Sequence, residues 1–186
     1  MEDNDINICE NGGRTGSWYA YNESTTDTQT LAPVLESRED GILVMETTGS
    51  SISGWGATVG VSLNGPSLST RLPYDVSDYT GIRFWARRGP GSSYPTSVNV
   101  HIVQQNTANE EQGGTCVDSA SVECSDHYAD TISVSSTWQR YQLPFTGFSQ
   151  VGWGKVFSRD LAHVLGFEFL IKTSSFDLMI DDLEPY

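Results

Sequence analysis

The sequence predicts an all-β chain, folded as an antiparallel two-sheet β-sandwich or jelly roll. Three observations predict it. Apolar and polar residues alternate at period two through most of the chain, these segments are short, and Gly, Ser, Asn and Pro separate them. Helical periodicity is nearly absent.

Trp18–Asn22 opens the series of strands, and Ile42–Thr47 and Trp55–Leu63 follow. Ile82–Arg87 puts Ile82, Phe84 and Ala86 on one face and Arg83, Trp85 and Arg87 on the other. Val98–Ile102 repeats the device, with Val98, Val100 and Ile102 opposed to Asn99 and His101. Thr131–Val134 and Thr137–Leu143 come next, then Gly166–Ile171, where Phe167 and Phe169 oppose Glu168, and Phe176–Leu183 closes the set. Ser158–Val164 is the one helix-compatible piece, a turn or two at most. The connection 89–95 is plainly turn-rich. The segment 106–129 is much longer and carries two cysteines, Asp126 and His127. Loops beyond ~12–15 residues in a compact domain are usually functional or disordered, and a disulfide inside this one predicts order.

At 186 residues the chain is expected to be a single domain spanning 1–186. Ten basic against 24 acidic residues give a net charge of −14, which disfavours nucleic acid and anionic membranes as partners. With 5 Trp, 8 Tyr and 7 Phe and only 18% charged residues, the chain has the makings of a core. No stretch approaches the ~20 apolar residues of a membrane span. Cys116 and Cys124 have seven residues between them and are spaced to close a small disulfide ring, with free thiols the alternative. A bridge there points to a secreted or extracellular protein. Cys9 is read as a small buried hydrophobe. No basic-then-apolar leader is seen, so the expectation is a module from a longer exported protein.

Catalytic signatures are weak. The three histidines, His101, His127 and His163, form no zinc-binding pair, and neither a nucleophile elbow nor a phosphate loop is present. Glu168 is the best single acid, yet an exposed or ion-paired strand carboxylate reads the same way. The aromatic residues say more. Trp55 and Trp153 each sit in a Gly-Trp-Gly triplet, and Trp85 lies between Arg83 and Arg87 on one strand face. Flat rings flanked by planar hydrogen-bonding groups suit pyranose sugars; core packing is the alternative for each tryptophan alone. Acids also gather at both ends, with Glu2, Asp3 and Asp5 opening the chain and Asp181, Asp182 and Glu184 closing it. Either both ends are simply solvated, or calcium relieves their repulsion.

The segments Gly13–Asn22, Gly54–Ala57, Tyr79–Arg87, Cys124–Tyr128, Gln150–Gly154 and Asp177–Leu183, taken in order, resemble bacterial jelly-roll carbohydrate-binding modules with a galactose-binding-like fold, family-eleven-like β-glucan modules among them. The resemblance covers nearly the whole chain. It implies a concave sheet holding a neutral plant-type polysaccharide (β-glucan, cellulose or xylan), no catalysis, and an attached glycoside hydrolase or other catalytic domain in the parent protein. It implies structural calcium held by Glu2 and Asp181, with Asp5 as a further ligand. It also places Trp55, Gln104, His127 and Trp153 around the rim of the binding face. Alternation is expected to put Arg83, Trp85, His101 and Glu168 on that face. The rival reading is a stand-alone jelly-roll lyase or hydrolase using Arg83, His101 and Glu168.

Overall fold

Period-two alternation sorts side chains between a buried and an exposed face, and ten strands carry it out. The computed structural model describes residues 5–8, 12–23, 28–36, 42–65, 67–91 and 94–186; Glu2 and Cys9 lie outside them. The strands are β1 (Trp18–Asn22), β2 (Thr28–Glu36), β3 (Ile42–Ser50), β4 (Ala57–Ser62), β5 (Gly81–Arg88), β6 (Ser97–Gln104), β7 (Tyr128–Ser133), β8 (Gln139–Pro144), β9 (Val164–Ile171) and β10 (Ser175–Pro185). They form two five-stranded antiparallel sheets, β1-β4-β9-β6-β7 and β2-β3-β10-β5-β8. The two-sheet sandwich expected from the sequence is the fold.

The core lies between the sheets. Val98, Val100 and Ile102 of β6 and Phe167, Phe169 and Ile171 of β9 are buried from one side. Ile82, Phe84 and Ala86 of β5 and Phe176, Leu178 and Ile180 of β10 meet them from the other. Phe84 and Phe169 touch edge to face across the interface, with ring centroids 5.0 Å apart and planes at 82°, an arrangement that the quadrupoles of the rings favour.

One strand was not expected. β2 starts in a polar Thr-Gln-Thr run and contains Pro33, which removes a backbone donor, yet it pairs with β3 from Thr28 to Glu36. It forms one edge of its sheet, where a missing N–H is tolerated. The helix-compatible segment reduces to a single 3-10 turn, Leu161–His163. The long 106–127 connection is ordered, and a Cys116–Cys124 disulfide bridges it. No helix among the described residues is long and apolar enough to cross a membrane.

Candidate functional site

The outer face of the first sheet is laid out in rows by strand register. One row runs Tyr19, Gly60, Glu168, His101 and Ala129; the next runs Tyr21, Thr58, Leu170, Asn99 and Thr131. Gly60 matters in the first row. A Cβ there would come within 2.6 Å of the Tyr19 ring and 2.8 Å of Glu168 Cγ, so its absence lets the tyrosine lie across the sheet towards the acid.

Glu168 is buried, and every neighbour treats it as an anion. Tyr19 Oη donates to Oε1 at 2.7 Å and Tyr21 Oη donates to Oε2 at 3.0 Å. Arg71 Nη1 lies 3.4 Å from Oε1 and donates to Tyr19 Oη at 2.6 Å, and its Nε donates to the Gln112 carbonyl at 3.0 Å. The guanidinium also sits 5.2 Å from the centre of the Tyr19 ring. Burial pushes the Glu168 carboxyl up, but His127 first, then Arg71 and the hydrogen bond from the Tyr19 hydroxyl, bring it below its ordinary value. Burial, then the Glu168 charge, raises both tyrosines well above their usual range, so both remain hydroxyl donors.

His127 completes the polar floor. Its Nδ1 lies 2.7 Å from Thr107 Oγ1, whose own hydroxyl is within 3.1 Å of the Gln104 carbonyl. Its Nε2 is buried without a protein partner in the cleft. Burial lowers its pKa to about 4 against the pull of Glu168, so the ring is neutral at pH 7. His101, 6.0 Å away between ring centroids, is lowered by burial as well.

These groups line a cleft of 460 Å³, bordered by Trp55, Trp153, His101, His127, Asp126 and Glu168 among others. Trp55 and Trp153 are 46% and 55% exposed, high values for indoles beside a cavity. Tyr21 lies 5.8 Å from Trp55, tilted by 49°. The cleft therefore offers two accessible flat rings over a floor whose charges are satisfied within the protein. Such a surface holds a neutral, amphipathic, hydroxyl-rich ligand better than an ion.

Five of the eight expected ligand residues meet here: Trp55, His101, His127, Trp153 and Glu168. Three do not. Arg83 and Trp85 lie on β5, in the other sheet, and the outward faces of the two sheets point in opposite directions. Arg83 instead donates through Nε to Glu184 at 2.7 Å. The polar trio of the rival enzyme reading, Arg83, His101 and Glu168, is thereby split between sheets. Gln104 shares the parity of the inward Val98, Val100 and Ile102 on β6 and is fully buried. There it accepts from the Asp160 backbone N–H. Arg71, Tyr19 and Tyr21 went unanticipated as site residues. Tyr19 and Tyr21 stand at alternate positions of the first strand, so their shared face was visible in the sequence, whereas Arg71 gives no sequence signal.

Of the expected calcium ligands, Asp181 is buried on β10. It lines a 160 Å³ cavity with Asp182, Ile8 and Arg14, so the opening segment does meet the closing strand. Asp5 caps its own turn, accepting from Asn7 N at 2.8 Å and Nδ2 at 2.9 Å. Among the described residues no three metal-ligating side chains cluster. Asp181 thus fits as one donor, and the described residues alone fall short of a 6–8 oxygen set.

Comparison with solved structures decides the fold relationship. A family 11 carbohydrate-binding module from Clostridium thermocellum, in complex with a β-1,3-1,4-mixed-linked tetrasaccharide, matches with a TM-score of 0.61 at 16% identity, over 90% of this chain and 87% of that one. The chain has the β-sandwich fold of these modules. The family 30 carbohydrate-binding module of a cellulosomal cellulase from the same organism gives 0.60 at 14% identity, over 98% and 96% of the two chains. An exo-β-agarase gives 0.54 at 9% identity, with all of this chain matching 24% of that enzyme. No family model matches the sequence, and no curated protein does.

Proposed function

We propose that the cleft binds a neutral β-linked glycan chain without cleaving it, as a module of a secreted protein whose other domain is a glycoside hydrolase or related enzyme. One observation carries this reading: two exposed tryptophans flank a floor of buried polar groups whose charges compensate one another. The pyranose C–H faces stack on Trp55 and Trp153, while the hydroxyls meet His127 Nε2, His101 and Asn99. A general-acid role for Glu168 is disfavoured on chemical grounds. A glycosidic general acid has to hold its proton near neutral pH, and Glu168 is held as a carboxylate by Arg71 and two tyrosine hydroxyls. The Cys116–Cys124 bridge supports an oxidising compartment.

Affinity electrophoresis in gels containing mixed-linkage β-glucan, hydroxyethylcellulose or xylan tests the reading, run beside reducing-end release from the same polymers. Retention by at least one polymer with no new reducing ends is expected. Release without retention would transfer the cleft to the enzyme reading.

A structural calcium ion belongs to the same proposal, with Asp181 and Glu2 as its carboxylate ligands. A ligand that binds only the native state stabilises it by mass action. Excess chelator should therefore lower the melting temperature, and added calcium should restore it. An unchanged melting curve removes the ion from the account.

A further inference from the structure

We infer that Glu23 and Asp126 are positioning residues for the two cleft tryptophans, each carboxylate gathering the backbone N–H groups of one Gly-Trp-Gly turn so that its indole is presented at a fixed angle to the ligand. The inference rests on the glycan-cleft reading above and extends it to two carboxylates that act through the tryptophans, Asp126 at the cleft border and Glu23 behind Trp55. Glu23 Oε1 accepts from the N–H groups of Ser53 and Gly54, and Oε2 accepts from Gly56 N at 2.8 Å. Trp55 is thus spanned on both sides by one carboxylate. Asp126 repeats the device: Oδ2 accepts from Gly152 N at 2.7 Å and Gly154 N at 3.3 Å, and Oδ1 accepts from Val151 N at 3.2 Å. The backbone oxygen of Asp126 further accepts from Gln150 Nε2 at 2.6 Å.

The two clamps are independent in sequence. Glu23 follows β1, whereas Asp126 lies just past the disulfide in the loop before β7. Each also explains a glycine of its triplet. A Cβ on Gly54 would meet Glu23 Oε2 at 2.6 Å, and one on Gly154 would meet Asp126 Cβ at 2.7 Å. Hydrogen bonds to an ionised acceptor are about twice as strong as neutral ones, so a turn that projects a bulky, half-exposed ring is stiffened without any packing of the ring itself. The same amides, that of Gly56 foremost, hold the Glu23 carboxyl below its usual range. A ring fixed before binding loses less conformational freedom when the sugar docks.

A double-mutant cycle on Glu23 and Trp55 tests this, read by affinity for mixed-linkage β-glucan and by 19F NMR of protein labelled with 5-fluorotryptophan. Glu23→Ala should weaken binding about as much as Trp55→Ala, roughly tenfold or more. The double variant should be no weaker than Trp55→Ala alone. In Glu23→Ala the Trp55 resonance should shift and broaden while those of the other tryptophans stay in place, and Glu23→Gln, which keeps one acceptor oxygen, should fall between. Asp126→Asn with Trp153→Ala gives the matching cycle on the buried clamp. Additive losses, or full affinity in Glu23→Ala where Trp55→Ala is impaired, overturn the inference. If Trp55→Ala itself loses nothing, the glycan-cleft reading fails at this ring, and an unshifted Trp55 resonance in Glu23→Ala then overturns the positioning role separately.

Discussion

Glu168→Ala is expected to lower folding stability by roughly 3–5 kcal/mol, the usual cost of leaving one member of a buried ion pair alone. Arg71 and Glu168 have side-chain exposures of 0% and 1%, so the guanidinium loses its paired charge in a buried position. Tyr19 and Tyr21 lose their acceptors in the same step. Arg71→Met should cost a comparable amount. The paired change Arg71→Met with Glu168→Leu should recover most of the loss, since an apolar pair of similar volume is often neutral. Urea unfolding of the four proteins measures this; a loss below about 1 kcal/mol in Glu168→Ala would show that the pair is solvated in solution.

The same network sets the direction of the pH response. Glu168 has a depressed pKa in the fold, so its contribution is present above the unfolded value of about 4.3 and is lost as pH falls through the folded value. His127 acts in the same direction by a different route. Its folded pKa is about 4 against about 6.5 unfolded, so between these values the unfolded chain takes up a proton that the native ring refuses. Stability should therefore fall from about pH 6.5 towards pH 4, by on the order of 3 kcal/mol for this group alone. A His127→Gln variant should flatten that part of the profile.

Period-two alternation identifies which face of a strand is buried, and it identified the inward residues of β5, β6 and β9 correctly. It is silent on which sheet a strand joins. Arg83 and His101 both point outward, yet β5 and β6 lie in opposite sheets, and outward then means opposite sides of the molecule. Gln104 failed because the resemblance placed it on the rim, whereas its parity with Val98, Val100 and Ile102 points it inward. The Gly-Trp-Gly triplets were legible as exposed rings because glycine leaves their surroundings open. Their clamps were not, since Glu23 and Asp126 lie roughly thirty residues from the turns they hold. Arg71 is the hardest case. It follows a single 3-10 turn and reaches an acid 97 residues away, a contact made only by the closed sandwich.

Replacing both Trp55 and Trp153 with Ala is expected to abolish retention of the protein in a β-glucan gel, with each single change weakening binding about tenfold or more. Aromatic anchors at the centre of a contact carry about 2 kcal/mol or more each, and about 1.4 kcal/mol is a factor of ten. Both rings are half exposed and held by turn amides rather than by core packing, so the fold should survive and near-UV circular dichroism should change only by the missing indole bands. Trp85→Ala supplies the control, because Trp85 faces away from the cleft on the second sheet and its loss should leave affinity intact. Affinity should also hold between about 0.05 M and about 0.5 M salt, over which a charge-steered contact would be screened. The floor explains why: Glu168 is neutralised by Arg71 and both histidines are uncharged at pH 7, leaving stacking and hydroxyl hydrogen bonds to carry the ligand. A steep loss of affinity with salt, or a Trp85→Ala variant that loses binding while Trp55→Ala and Trp153→Ala keep it, would move the ligand from the cleft to the arginine-lined face of the second sheet.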